Sequence, residues 1–261
     1  FDYCTGAFYK GHFDRNTKHG TGMYTWPTGA VYKGEFFREK LHGFGELVYM
    51  TGHRYVGQWE RNQKHGQGTM YYANGSVYEG SFVRDIRQGM GRLTLMPGTP
   101  VEEVYEGQWD RDMWHGKGRY TYRQDEGTVY EGDWENGARQ GRGLLRFKDG
   151  SYYRGEFRKD QMWGRGVYVG ADSCQYDGEW RANMRQGMGT AIEADGTIYH
   201  GEFFGNMRQG RGRLIRPDGS VYEGEWDAGV VVGGGKMTIQ VGDPGKRDGL
   251  PTQVTLKVFG Y

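Results

Sequence analysis

Cysteine, proline and long apolar runs are scarce in this chain of 261 residues. Its two cysteines, Cys4 and Cys174, are far apart in the sequence, which excludes a disulfide framework and favours a reducing, cytoplasmic compartment. No apolar run reaches the roughly 18 residues that a membrane-spanning helix needs, and no signal-peptide segment follows Phe1. Because the chain opens with Phe1 and not Met, whether another segment precedes it stays open.

Net charge and aliphatic side chains are also in short supply. The formal net charge is +1, so no overall field attracts nucleic acid and no nucleic-acid partner is expected. Hydrophobic residues make up 36% of the chain, and the mean hydropathy is -0.86. The chain has instead 48 glycines and 15% aromatic residues. This content of aromatic residues argues against disorder and predicts a core of large rings packed against glycine.

One motif recurs ten times along the chain. It reads Tyr-x-Gly-x-(Trp/Phe), and Gly-x-Gly follows it, with the first glycine eleven residues after the tyrosine. Successive tyrosines are 23 residues apart, except across two joints of 27 and 25. A period of this length indicates a repeat architecture. The ten tyrosines are Tyr9, Tyr32, Tyr55, Tyr78, Tyr105, Tyr130, Tyr153, Tyr176, Tyr199 and Tyr222.

Each repeat reads as a β-hairpin. In the fourth copy, Tyr78, Gly80 and Phe82 alternate with polar residues and fall on one face of a strand. A loop with several basic residues follows, and then a second strand with the same period of two. Between repeats stand Asn-Gly and Asp-Gly pairs such as Asn74-Gly75, for which we expect tight turns with both residues at positive φ.

The glycines have a predicted role in this sheet. A single layer has no second layer to cover its aromatic face, so missing Cβ atoms would open slots for Tyr and Trp rings. The prediction is an all-β fold, an elongated single-layer antiparallel meander or solenoid of about ten hairpins in a right-handed twisted ribbon.

The motif identifies a family. Tyr-x-Gly-x-Trp, followed by His/Gln-Gly-x-Gly and Asp-Gly at a period of 23, resembles the MORN repeat (membrane occupation and recognition nexus), over about residues 6–235. The resemblance implies this fold and a non-catalytic array. The family includes cytoskeletal and ciliary scaffolds, junctional membrane proteins, and arrays attached to lipid kinases, exchange factors or a lysine methyltransferase.

Two segments are expected. Residues 1–235 form the repeat array, and residues 236–261 form a C-terminal β tail that either caps the last repeat or begins a further domain. The tail is expected because an unprotected edge strand invites aggregation, and repeat arrays usually end in a cap.

The sequence offers little for catalysis or cofactor binding. Histidines at the position before Gly-x-Gly would lie about 10 Å apart in adjacent repeats, whereas a shared zinc needs Zn–N distances near about 2.1 Å. No phosphate-binding Gly-x-x-x-x-Gly-Lys-(Ser/Thr) motif and no serine nucleophile elbow are present. We therefore predict no enzyme, no cofactor and no metal site. These histidines are His19, His42, His65 and His115.

The first candidate surface is the aromatic face. Rings on one side of a one-layer sheet are expected to be partly covered, and such a groove suits an extended peptide or an amphipathic helix. The predicted partner-binding residues are Tyr24, Trp26, Tyr49, Tyr72, Tyr120, Tyr122, Phe147 and Tyr168.

The second candidate surface is a basic edge. Basic residues recur at two loop positions that lie three residues apart, and in a ribbon they would align at about 10 Å intervals. Such a row suits anionic lipid headgroups or acidic protein tails, and solvation with weak surface ion pairs is the other interpretation. The predicted residues are Arg15, Arg38, Arg61, Lys64, Arg84, Arg87, Arg111, Arg139, Arg185 and Arg208.

Three functions stay open on these observations. The leading hypothesis is a scaffold that docks a protein partner, a peptide, helix or filament component, in a cytoskeletal or ciliary (axonemal) assembly. The second is a peripheral membrane module that binds anionic phospholipids through the basic edge. The third is a targeting array of a larger enzyme. Homo-oligomers are compatible with all three, and the expected location is cytoplasmic, at the cytoskeleton or at a membrane surface.

Overall fold

The computed structural model describes residues 6–123, 127–241 and 252–258. Within these ranges the chain consists of β-strands and turns, without a helix. It divides into two compact units between Ala138 and Arg139. Each unit is an open antiparallel meander in which consecutive strands pair. The predicted fold class, an all-β meander of hairpins, is confirmed.

The strands follow the repeats. Each repeat contributes one strand with the tyrosine motif and one with Gly-x-Gly. The first unit contains Phe8–Asp14 (β1), Thr17–Thr25 (β2), Val31–Phe37 (β3), Lys40–Val48 (β4), Arg54–Glu60 (β5), Gln63–Tyr71 (β6), Val77–Val83 (β7), Ile86–Leu95 (β8), Glu103–Asp110 (β9), Met113–Thr121 (β10) and Val129–Glu135 (β11). The remaining strands are Ala138–Arg146 (β12), Tyr152–Arg158 (β13), Gln161–Val169 (β14), Gln175–Arg181 (β15), Met184–Ile192 (β16), Ile198–Phe204 (β17), Met207–Ile215 (β18), Val221–Asp227 (β19), Val230–Val241 (β20) and Thr252–Val258 (β21).

The predicted slots for the tyrosine rings are confirmed. Tyr78 is fully buried, and its hydroxyl donates to the carbonyl oxygen of Ser81 at 3.1 Å. A Cβ built on Gly80 would lie 2.6 Å from the Tyr78 oxygen and 2.5 Å from the Cα of Gly91 on the next strand. Ring and backbone therefore meet where glycine leaves space. The same burial holds for Tyr9, Tyr32, Tyr55, Tyr105, Tyr130, Tyr153, Tyr176 and Tyr199.

Aromatic rings connect each repeat to the next. Tyr32 meets Phe36 of its own repeat at a centroid distance of 5.2 Å and Trp59 of the following repeat at 5.5 Å, both edge to face. The Trp59 indole also donates to the carbonyl oxygen of Gly45 at 3.2 Å. Such ring pairs stabilise by about 0.5–1.5 kcal/mol beyond the area they bury. The core of each unit is thus one layer of interlocked rings on one face of its sheet, the ring face.

A bulge at Gly-x-Gly was not anticipated from the sequence. Gly34 pairs with Gly45, but the next residue of β3, Glu35, pairs with His42. Gly43 takes a φ of 58° in this bulge, and the Glu35 carboxylate accepts the N–H of Phe44 at 2.8 Å. In this repeat the acidic residue of the tyrosine motif therefore satisfies a backbone N–H group.

The prediction that both residues of the turns between repeats take positive φ was wrong. In the Asn74-Gly75 turn only Gly75 takes positive φ. The Asn74 side chain instead accepts the N–H of Ser76 at 3.0 Å, and Gly75 donates to the carbonyl of Tyr72 at 2.9 Å. This is a type I turn closed by glycine, because the Asn side chain hydrogen-bonds two residues onward.

The turns with two residues at positive φ lie within the repeats. Arg61 and Asn62 join β5 to β6 with φ values of 53° and 72°, as a two-residue type I′ hairpin requires. The second residue also binds the preceding repeat: Asn62 accepts the N–H of Leu41 at 2.8 Å and donates its own N–H to the Leu41 carbonyl at 3.0 Å. We call this two-point contact the clasp. It recurs at Glu39, Asp85, Asp112, Asp160, Asn183 and Asn206.

Beyond the tenth repeat, the sheet of the second unit gains one further strand. Strand β20 runs on to Val241, and β21 pairs with it antiparallel, from Gly235 opposite Val258 to Val241 opposite Thr252. The tail therefore covers the open side of β20. Whether it acts as the cap of the array stays a prediction.

The tenth repeat supplies a test of the tyrosine hydrogen bond. Within the described residues the buried Tyr222 hydroxyl has no hydrogen-bond partner, unlike that of Tyr78. We expect Tyr78→Phe to lower the free energy of unfolding by about 1 kcal/mol. Tyr222→Phe is expected to leave it unchanged or raise it slightly. Denaturant unfolding of both variants measures this, and equal losses would contradict the assigned role of the hydroxyl.

Candidate functional site

The aromatic residues predicted to bind a partner fall at two positions of the repeat, fifteen and seventeen residues after the tyrosine. All lie half-buried except Tyr120, which is buried. The residue seventeen positions after the tyrosine is mostly aromatic in the first unit and varies in type in the second. It reads Trp26, Tyr49, Tyr72, Leu95 and Tyr122 in the first unit, and Phe147, Gly170, Glu193, Arg216 and Ile239 in the second.

The structure brings three of these rings together in the first unit. Tyr24, Trp26 and Tyr49 line a cleft of about 430 Å³ on the ring face. The rings of Tyr24 and Trp26 meet edge to face at 4.7 Å. The cleft is also lined by the core side chains Phe36, Leu41, Leu47 and Trp59 and by the polar side chains Lys18, Glu39, Asn62 and Asp85.

The polar side chains of the cleft are fixed by one ion pair and by clasps. Lys18 pairs with Glu39 at 2.8 Å, and its ammonium lies 4.7 Å from the centroid of Tyr24. Burial works against the charged form of Glu39, but hydrogen bonds from Lys18 outweigh it and lower the pKa of that carboxyl. Asp85 accepts the N–H of Lys64 at 3.0 Å. Burial, and then the nearby Asp85 carboxylate, raise the pKa of Tyr49. The wall therefore combines oriented rings with fixed charges.

The other predicted aromatic residues lie outside this cleft. Tyr72 meets His53 edge to face at 5.9 Å. Tyr120 packs against Tyr122 at 4.5 Å and donates a hydrogen bond to Glu103. In the second unit, Tyr168 lies 6.5 Å from Trp180. These rings extend the local core, and their role in binding stays a prediction.

The predicted basic edge separates into two groups. The first group is exposed, at the first position of the I′ turns: Arg15, Arg38, Arg61, Arg84 and Arg111. The second group is half-buried against rings. Arg87 lies 4.3 Å from the Trp109 centroid and pairs with Asp112 at 2.8 Å. The other members of that group are Lys64, Arg139, Arg185 and Arg208.

This division changes what the basic residues can offer a partner. A guanidinium that already covers a ring and pairs with a clasp carboxylate contributes to packing between repeats. Only the first group keeps its charges on the surface. Binding of an anionic partner at either group stays a prediction.

A second concavity in the first unit was missed by sequence reasoning. An open groove of about 720 Å³ crosses the face opposite the tyrosines, over the glycine pairs. Phe44 and Met90 stand in it, 58% and 61% exposed. They occupy the middle position of Gly-x-Gly, so an apolar residue there was the available signal. Charged side chains such as Glu79, Arg92 and Glu106 line much of the rest.

The described residues contain no group of three or more His, Cys, Asp or Glu side chains able to hold a metal ion. Nor does any helix among them have the length and apolarity to cross a membrane. At the position before Gly-x-Gly, the ring of His42 lies 5.6 Å from that of Phe37, centroid to centroid, and is thus part of the local packing.

Comparisons with known proteins complete these observations. The model of the MORN repeat family matches residues 9–31, 32–54, 55–77, 78–99, 105–124, 130–152, 153–175, 176–198 and 199–221. The hairpin of β19 and β20 follows as a tenth copy with a buried Tyr222. Among curated proteins there is no significant match.

Solved structures show a weaker likeness. The TCP10 domain of Danio rerio CPAP in complex with a STIL peptide is 14% identical, with a TM-score of 0.49, over 87% of this chain and 97% of that one. The SAS-4 (dCPAP) TCP domain of Drosophila melanogaster, in complex with a proline-rich motif of Ana2, is 13% identical, with a TM-score of 0.39, over 70% of this chain and 90% of that one. At these scores the likeness supports no functional conclusion.

Proposed function

This chain belongs to the MORN repeat family, and from that premise we propose that it is a non-catalytic scaffold that holds a protein partner in the aromatic cleft of its first unit. The observation that carries the proposal is the meeting of Tyr24, Trp26 and Tyr49 beside the Lys18–Glu39 pair. Half-buried aromatic rings that are already fixed by packing bind a partner with little loss of side-chain entropy.

An extended peptide is the occupant that suits this cleft. The backbone groups around it are paired in the sheet, so the partner would be held by side-chain pockets and not by an added strand. Its apolar side chains would lie on the rings, and its polar groups would meet Lys18, Glu39 and Asp85. Only the family resemblance supports placing this scaffold in a cytoskeletal or ciliary assembly, and that part of the proposal rests on the resemblance alone.

The repeats themselves supply variants that test the cleft. At the position of Trp26 and Tyr49, later repeats carry Arg216 and Glu193, so Trp26→Arg combined with Tyr49→Glu uses residues that the fold accommodates. Peptides selected from a random display library against the wild-type chain are expected to bind this variant at least about tenfold more weakly, because two central aromatic anchors are lost. Fluorescence anisotropy measures the affinity.

Phe147→Glu in the second unit is the matched control. It makes the same kind of change outside the cleft, and the selected peptides should bind it as they bind the wild type. Thermal unfolding confirms that both variants fold. If no peptide is enriched, or if the enriched peptides bind the cleft variant with unchanged affinity, the proposal is wrong.

A membrane role is the second candidate, favoured by the exposed arginines at the I′ turns. Each such residue near an anionic surface is worth about 1 kcal/mol. Flotation of the chain with anionic vesicles, lost in Arg61→Glu/Arg84→Glu, is the outcome that would favour it over peptide docking.

A further inference from the structure

Three side chains in the second unit form a cluster that neither the cleft nor the core uses. Trp163 on β14 lies between Arg158 on β13 and Arg181 on β15, on the face opposite the buried tyrosines. The guanidinium carbons lie 5.1 Å and 5.8 Å from the ring centroid of Trp163. Both arginines are exposed, and the tryptophan is half-buried. We call this group the Arg–Trp–Arg cluster.

The two arginines have no acidic partner within the described residues of the second unit. Glu156 is the nearest carboxylate by register, opposite Trp163, but it accepts the backbone N–H of Arg165 at 3.4 Å. Glu179 is directed at the backbone of Gly187 in the same kind of bulge. In contrast, Arg139 and Arg208 pair with Asp160 and Glu193 at 3.3 Å and 2.9 Å. The charges of the cluster therefore remain available.

The cluster also departs from the repeat in all three positions at once. Five residues after the tyrosine, only Arg158 and Arg181 are basic, and the other repeats carry Asp14, Phe37, Glu60, Val83, Asp110, Glu135, Phe204 and Asp227. Ten residues after it, Trp163 is the only tryptophan, and the others are His19, His42, His65, Gln88, His115, Gln140, Gln186, Gln209 and Val232. Since nine copies fold without this tryptophan, and eight without the arginine, the scaffold does not require them.

We propose that the Arg–Trp–Arg cluster binds a short acidic segment of a protein partner. Guanidinium groups bind carboxylates through paired, charge-assisted hydrogen bonds, which are stronger than neutral ones. Contact with the indole holds both groups in place before binding and adds apolar surface for the partner's side chains. The cluster is thus a preorganised binding site for two or more neighbouring carboxylates.

Charge around the cluster selects a short segment over an extended polyanion. Arg154 and Arg165 add positive charge on β13 and β14, but Asp177 and Glu179 follow on β15, and Glu202 on β17. A polyanion or a charged membrane laid across this face would also lie against those carboxylates, which weaken its attraction to the basic part. A peptide with a few adjacent Glu or Asp residues would contact the basic part alone.

A labelled Glu-rich peptide is the probe for this proposal. Arg158→Glu/Arg181→Glu is expected to weaken its binding by about tenfold or more, because two charge-assisted contacts become repulsive. Glu60 and Glu135 occupy the same position in other repeats, so the variant should fold. Arg61→Glu/Arg84→Glu, with the same change in net charge, is the control and should bind like the wild type. Trp163→His, which installs the residue of four other repeats, is expected to weaken binding by about threefold or more.

Each outcome decides the proposal. The proposal is supported if Arg158→Glu/Arg181→Glu alone loses affinity for the Glu-rich peptide. If Arg61→Glu/Arg84→Glu loses the same affinity, the binding reflects only general charge attraction and the proposal is overturned. Absence of peptide binding in the wild type overturns it as well, and so does binding to anionic vesicles in place of the peptide. The display-selected peptides of the aromatic cleft should bind Arg158→Glu/Arg181→Glu normally, so failure at one surface does not imply failure at the other.

Discussion

Gly80→Ala is expected to lower the free energy of unfolding by about 3 kcal/mol or more, although it adds a single methyl group. The new Cβ would lie 2.5 Å from the Cα of Gly91 and 2.6 Å from both the Met90 carbonyl oxygen and the Tyr78 hydroxyl. Overpacking typically costs about 1–3 kcal/mol when side chains can move. Two of these three contacts are with the backbone of the paired strand, which cannot move without breaking the sheet.

The damage should remain local because each repeat contacts mainly its neighbours. Hydrogen exchange followed by mass spectrometry should show lost protection in β6 to β9 and retained protection in β15 to β18. Gly75→Asn is the control, since Gly75 lies in open space and asparagine tolerates its φ of 86°. Full protection of β6 to β9 in Gly80→Ala would show that the ring slot is not where stability is concentrated.

Alkaline unfolding is the second large effect. Burial raises the pKa of the core tyrosines, to about 12 for Tyr176 and further for Tyr55, Tyr78, Tyr105 and Tyr153. In the unfolded chain these phenols ionise at about pH 10. Below that pH both states are protonated and stability does not depend on these groups. Above it the unfolded state binds fewer protons, so stability falls as the pH rises toward the folded-state values.

Because several tyrosines contribute together, the loss should be steep. We expect the β-sheet circular dichroism to disappear between about pH 10 and pH 12, together with the rise in tyrosinate absorbance. Tyr176→Phe, which removes one ionising group, should make the pH dependence less steep. Core tyrosines that ionise near pH 10 while the sheet stays intact would contradict the burial that the structure assigns to them.

Much of the fold could be predicted from one repeat. The period of two in Tyr78, Gly80 and Phe82 indicates a strand, and a fixed spacing to Gly-x-Gly indicates its partner. What the pattern cannot show is register. The bulge at Gly43 depends on a carboxylate from the opposite strand, which captures the N–H of Phe44. Such a contact is set by pairing in three dimensions and leaves no local signal.

Turn chemistry explains why the residues of the predicted basic edge separate into two groups. Arg61-Asn62 does not read as a type I′ turn, because arginine disfavours positive φ, yet the clasp of Asn62 on Leu41 holds it there. Placing this turn correctly puts Arg61 on the surface and Arg87 on the ring of Trp109. In the sequence Arg61 and Arg87 are both basic loop residues, and nothing there indicates which of them is exposed and which packs on a ring. The sequence predicted an aromatic face of eight rings, and the structure places three of them, Tyr24, Trp26 and Tyr49, in one cleft of the first unit. At the position of Trp26 and Tyr49 the second unit carries residues such as Gly170, Glu193 and Arg216.

The clasp has a consequence for how this protein tolerates added sequence. It joins residues 21 apart in most repeats, but Asp112 reaches Arg87 across 25 residues with the same contact, at 3.1 Å. The four extra residues are therefore accommodated entirely in the connection between β8 and β9, where one repeat joins the next. An epitope or a small domain inserted at Asn74-Gly75 should therefore be tolerated, because it lengthens the same kind of connection that the chain itself lengthens after Leu95. The same insertion at Arg61-Asn62 would open a I′ hairpin and detach two repeats, so only one side of the meander is suited to grafting.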